Sequence, residues 1–193
     1  MSFIQNPDTD SGPLLHVLPL RAALKAGQDN LVDLLFVVRA PLSLDDGTRG
    51  APLQSWDAAD PLPQDWERHL ARESTLALRD VKLSVRLCEG VGAAGIGACC
   101  PPDLRWHLGD MPWGAEATVV LRLFVPAGLL PGVGERLAIA RARVQADYAS
   151  DRAMLGLGVH LPVQVLAAYE YGQLPDDARV REALALIPTS PGM

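Results

Sequence analysis

The sequence predicts an all-β fold, a two-sheet antiparallel immunoglobulin-like sandwich with a short connecting helix and a C-terminal helix. Three observations carry this expectation. Residues 80–89, DVKLSVRLCE, alternate so that Val81, Leu83, Val85 and Leu87 point one way and Lys82, Ser84 and Arg86 the other, the period of a half-buried strand. Comparable segments recur along the chain, seven strands at short spacing, which favours a sandwich over a parallel α/β arrangement. Residues 31–39, LVDLLFVVR, are apolar on both alternating faces except at Asp33 and Arg39, as a strand deep in a sandwich requires.

The elements follow in chain order. With 193 residues, 49% of them hydrophobic, the chain suffices for one well-filled core, so one domain is expected over 14–187, interrupted by a connector at about 41–76. Residues 1–13, rich in Asn, Asp, Pro, Ser and Gly, have the composition of a disordered leader, and 188–193 that of a flexible tail. Residues 14–20 read as an extended edge segment, because Pro19 has no N–H to give a ladder on that side. Residues 27–30 are the turn into the deep strand at 31–39. From 41 to 63 the pattern collapses into Pro, Asp, Gly and Ser around an isolated Trp56, the composition of a connection. In 65–76, DWERHLARESTL, Trp66 and Leu70 recur at helical spacing and predict the short connecting helix. Strands follow at 80–89, 104–108, 116–125, 136–147 and 155–166, separated by turns such as Gly109-Asp110 and Pro131-Gly132. Residues 176–187 place Val180, Leu184 and Ile187 on one face behind the start signal Pro175-Asp176, which makes the terminal helix.

Charge and cysteine usage narrow the classes. A net charge of −6, with arginines scattered along the sequence, argues against nucleic acid and anionic membrane as partners. The opening MSFIQNPDTDSGP has neither a positive n-region nor an apolar h-region, and no later run reaches bilayer-spanning length without charges, so a cytoplasmic location is expected. Cys88, Cys99 and Cys100 leave an odd number, and the adjacent pair cannot bridge without strain, so reduced thiols are expected. Cys99 and Cys100 with His107 lack a second cluster at ligand spacing, so no metal site is assigned.

The motif closest to known chemistry is Gly90-Val91-Gly92-Ala93-Ala94-Gly95, a formal G-x-G-x-x-G after a strand. A dinucleotide site needs the last glycine to open a helix, and the following IGACCPP ends in two prolines that deny it one. The loop, which runs on to Gly97, reads as a connection; the competing reading is a small-molecule, nucleotide or metal-binding enzyme domain built on Gly90 to Gly97 with Cys99 and Cys100. His16, His69, His107 and His160 fall on separate elements, and no nucleophile elbow, zincin motif or P-loop is present. The acid pairs Asp45-Asp46 and Asp176-Asp177 fit loop and helix-cap roles. No catalytic, cofactor-binding or metal residue is assigned, and the chain is expected to be no enzyme. Trp106 and Phe124 are read as core, whereas Trp113, in the turn MPWG, is the candidate for an exposed interaction hot spot.

Two stretches resemble the regions flanking the von Willebrand factor type A domain in a group of bacterial proteins. LLHVLPLRAALKAGQDNLVDLLFVVRAP, 14–41, is similar to the strand-rich leader before that domain. LALRDVKLSVRLCEGV, RWHLGDMPWGAEATVVLRLFVPAG and LPDDARVREALAL are similar to the accessory β-sandwich and terminal helix after it. The D-x-S-x-S loop that coordinates a divalent cation in the complete family is absent, and DWERHLARES resembles only the last helix of the type A domain. The resemblance implies a non-enzymatic scaffold or protein–protein interaction module without cofactor, in multiprotein assemblies alongside a chaperone-like ATPase. A homodimer through an edge strand, at the segment containing Pro19 or the one ending near Val125-Pro126, is a further expectation.

Overall fold

The structure, a computed structural model, describes residues 3–5, 12–42, 75–94, 103–150 and 152–187. The connecting helix expected at 65–76 and nearly all of the connector, like Cys99 and Cys100, lie outside them; Thr75 and Leu76 are described, and Leu76 already opens a strand.

The described residues form two sheets and two short helices. Sheet A runs β1 (Phe3–Gln5), β2 (Leu14–Pro19), β4 (Asn30–Arg39), β8 (Glu116–Val125) and β6 (Gly92–Ala93), with every neighbour antiparallel. Sheet B runs β3 (Ala23–Lys25), β10 (Met154–Leu166), β9 (Arg136–Tyr148), β5 (Leu76–Leu87) and β7 (Arg105–Pro112). The all-β class and the two-sheet layout therefore hold, but the second sheet is mixed, because β3 pairs parallel to β10. The reason lies in the path of the chain. After β2 it crosses from sheet A, adds three residues to sheet B, and returns through a turn at Gly27 to β4. A strand so short leaves little periodicity to read.

The sheets pack face to face on one core. Val32, Leu34, Phe36 and Val38 of β4 and Val119, Leu121 and Leu123 of β8 join Leu83 and Val85 of β5, Val144 of β9 and Val159, Leu161 and Val163 of β10 in a single buried cluster. The alternation read in 80–89 is realised as written: Val81, Leu83 and Val85 are buried, Leu87 packs against the core, and Arg86 is exposed. β4 is apolar on both faces for a second reason. Its outer residues Leu35 and Val37, with Leu18 of β2, form a separate cluster closed by Val180, which is fully buried. Val180 belongs to α2 (Ala178–Ala185), so the terminal helix covers the middle of the outer face of sheet A.

Local chemistry sets where this helix starts. Asp177 caps it, its Oδ1 accepting from the Arg179 and Val180 amides at 2.9 and 3.2 Å. Asp176 turns away and accepts from Arg21 Nε at 2.6 Å and Arg181 Nη2 at 3.2 Å; the Arg21 hydrogen bond holds its carboxyl below the usual range. The Asp177 amide donates to the Leu20 carbonyl at 2.7 Å, tying the C-terminal region to the β2–β3 crossing. A further short helix, α1 (Ala168–Gln173), sits beside β3 and sets Tyr171 under the Arg21 guanidinium, 5.1 Å from the ring centre.

Several expectations are corrected. β2 is no edge: β1, formed from what was read as leader, pairs with Leu15–Val17 on one side and β4 lies on the other. Pro19 sits past the end of β1, so its missing N–H removes no bond from that ladder. β8 is flanked along its length by β4 but on its other side only at Leu123 and Phe124, by the two residues of β6, so among the described residues Glu116–Arg122 have no strand partner on that side. Gly109 and Asp110 do not end a strand but lie inside β7, where Gly109 takes φ +78° beside a register shift against β5. There the Asp80 amide donates to Asp110 Oδ1 at 3.1 Å, and Asp80 itself takes φ +50°, the conformation of a bulge residue. Phe124 is 37% exposed and faces Leu31 across the strands, beyond the cover of α2. Its neighbours Leu123 and Val125 take the core side, and the period of two sends Phe124 outward.

Candidate functional site

One helix lies against sheet A and the other beside β3 at the edge of sheet B, and no residue of either lines the depression on the outer face of sheet B, over β5, β7, β9 and β10. That face is made by the polar half of the strand alternation, and register brings its residues into rows. Across β7, β5, β9 and β10 the first row reads His107, Lys82, Gln145 and Gly156. The second reads Arg105, Ser84, Arg143 and Gly158, and the third Arg86, Arg141 and His160. Lys82, Arg86, Arg105, Arg141 and Arg143 thus share one surface, over which lies an open depression of about 850 Å³.

The acids stand at its margin. Asp80 pairs with Lys82, Asp103 lies 3.9 Å from Arg105, and Asp147 occupies the next row out, opposite Arg79. Arg86, Arg141 and Arg143 are exposed and have no ion-pair partner among the described residues. Arg86 faces Arg141 directly across the β5–β9 ladder, a like-charge pairing that opposes sheet stability. Gly156 leaves room for its neighbour: a Cβ there would lie 3.9 Å from Arg143 Nη2, so the guanidinium rests over bare backbone. Unpaired guanidiniums are forks of planar N–H donors suited to bidentate carboxylate or oxyanion contacts.

The residues singled out in the sequence fall elsewhere. Trp113 is half-buried and packs against the main core, not outward as its turn suggested. Its amide donates to the Thr75 carbonyl at 3.2 Å, and the next amide, of Gly114, donates to Pro41 at 2.7 Å, which draws the turn onto the body. Trp106 packs against the core as read. In the glycine loop, Gly92–Ala93 form β6, and Gly90 takes φ +80° with its backbone against Leu129, where a Cβ would come within 2.7 Å of Cδ1. Close packing of a turn accounts for that glycine. Cys88 is a half-buried free thiol, and among the described residues no group of three His, Cys, Asp or Glu is placed to hold a metal ion. His107 and His160 lie on the basic face, whereas His16 lies under α2 on the opposite side of the molecule.

The sequence reading missed the basic face because its arginines come from three strands separated by long intervals. The signal available was the polar half of each alternating segment, KxSxR in β5 and RxRxQ in β9. No helix among the described residues is long and apolar enough to cross a membrane. No protein-family model matches the chain, and no curated protein matches it in sequence.

Proposed function

We propose that the chain is a non-enzymatic protein–protein interaction or scaffold module, an immunoglobulin-like sandwich in the cytoplasm that docks partners through the outer face of sheet B. One observation carries the choice of face: three exposed arginines without ion-pair partners among the described residues, two of them directly opposed, in a chain of net charge −6. A surface that opposes its own sheet stability is the kind expected where binding sets the residue types. The resemblance to the regions flanking type A domains supports a place in a multiprotein assembly, with a chaperone-like ATPase as a partner class.

The test is affinity capture from the source cells, comparing the wild-type chain with a folded triple variant, Arg86→Glu, Arg141→Glu and Arg143→Glu. Stoichiometric partners are expected with the wild type and absent from the variant; the same proteins on both would remove this face from the reading. The competing enzyme reading, on the Gly90 to Gly97 loop and Cys99 and Cys100, predicts a saturable thermal shift with a nicotinamide or flavin cofactor or zinc, since ligand binding to the native state raises stability by mass action. None is expected, and one tight stoichiometric complex would reverse the assignment.

A further inference from the structure

We propose that the outer face of sheet B takes a short acidic segment of a partner protein, its carboxylates seated among Arg86, Arg141 and Arg143; this rests on reading that face as the docking surface. Size selects the ligand first. Rows two residues apart along a strand lie about 7 Å from one another and strands lie about 4.8 Å apart, so the grid measures only about 14 Å in each direction. An extended segment of about four residues, or two to three helical turns, crosses it.

Charge selects next. The chain is net acidic, and Asp80, Asp103 and Asp147 rim the grid, so a polyanion reaching more than a Debye length of about 8–10 Å past the arginines meets repulsion. Duplex nucleic acid and anionic bilayers extend much farther than that, whereas a few carboxylates on a short segment do not. Among the described residues the face also offers no fully exposed Trp, Tyr or Phe on which bases could stack, since Trp106, which lines the depression, is half-buried and packs against the core. The opposed pair supplies the attraction: a carboxylate placed between Arg86 and Arg141 meets both guanidiniums and removes the repulsion that the empty face carries.

The experiment is fluorescence anisotropy of a labelled peptide alternating Glu and Ser, about ten residues long so that it spans the grid. A Gln-for-Glu peptide, a single-stranded RNA oligonucleotide and phosphatidylserine vesicles are titrated beside it, with wild type, Arg86→Glu and Arg141→Gln. Arg86→Glu sets opposite charges face to face, so its melting temperature is expected to rise by roughly 1–3 °C while affinity for the acidic peptide falls about tenfold or more. That combination separates lost binding from lost folding. Arg141→Gln is expected to weaken the peptide too, and the Gln peptide to bind no variant. Equal binding by wild type and Arg86→Glu overturns the proposal, as does RNA or vesicle binding in place of the peptide. Absence of saturable peptide binding also overturns the acidic-segment assignment, and the capture comparison with the triple variant then decides separately whether the face is a docking surface at all.

Discussion

Asp33 shows how a single charged residue fits in a strand that is otherwise apolar on both faces. Its carboxylate is buried and meets Arg122 bidentately, Nε to Oδ1 at 2.6 Å and Nη2 to Oδ2 at 2.9 Å, and that hydrogen bonding raises the Arg122 pKa above its ordinary value. Because the Arg122 side chain is 37% exposed, water takes up part of the loss if the partner is removed. Asp33→Ala is accordingly expected to cost about 1–2 kcal/mol in urea denaturation, and a change indistinguishable from zero would show that the pair contributes nothing net. His16 makes the pH-dependent counterpart. Burial, then the positive Arg179 of α2, hold its pKa below the ordinary 6.5, while Asp177 and Glu116 offset part of this; its Nε2 is buried with no hydrogen-bond partner among the described residues. The folded state therefore favours the neutral ring. Below pH about 6.5 the unfolded chain binds the extra proton, so this stability is present above that pH and is lost as the pH falls through the lower folded value. Between pH 7.5 and 5 the wild type is expected to lose more stability than His16→Gln, measured by the urea midpoint at each pH; parallel curves would exclude His16 as the cause.

At the scale of elements, α2 stands out because one fully buried residue, Val180, anchors it. Val180 enters the pocket formed by Leu18, Leu35 and Val37, with Ala183 and Leu184 packed at its edge, and Asp177 secures the first turn. Val180→Asp places an unpaired carboxylate in that pocket, which is expected to cost about 3 kcal/mol and release the helix from sheet A. Hydrogen exchange would then rise across 178–185 while β9 and β10, whose partners are strands, keep their protection. Loss of protection in both places would mean that the sheets depend on the helix. The helix was legible because an acidic start and apolar residues on one face are local signals, although Asp177 and not Asp176 is the cap and Ile187 lies past the helix end. Its role in covering β4 was not legible, since the same apolar β4 sequence suits a strand between two sheets as well as one between a sheet and a helix.

For the whole molecule, the contacts join residues far apart in sequence. β4 pairs with β8 over its full length, Asn30–Arg39 against Glu116–Val125, and β3 adds to β10, so the early strands are built into both sheets formed by the later chain. A protein nicked at a protease site introduced between residues 42 and 75 is expected to migrate as one particle on native size exclusion. The β4–β8 ladder and the shared core, not the peptide bond, hold the halves together. Separation of the N-terminal fragment without denaturant would contradict this pairing.

What the sequence determined by itself is the class of fold and much of its element order. Period-2 alternation in 80–89, the two-faced apolar run at 31–39 and the capped amphipathic stretch at the C-terminus are written in neighbouring residues, and burial acts on those same residues. Whatever depends on which strand lies beside which was decided only in three dimensions: the parallel β3–β10 pair, the inner position of β2, the outward turn of Phe124 and the inward fold of Trp113. The basic face belongs to this second kind. Arg86, Arg105, Arg141 and Arg143 look scattered in a net acidic chain because charge counted along a sequence ignores direction. Strand register turns every second residue of β5, β7 and β9 to one side and sets the strands about 4.8 Å apart, which gathers those charges onto one surface.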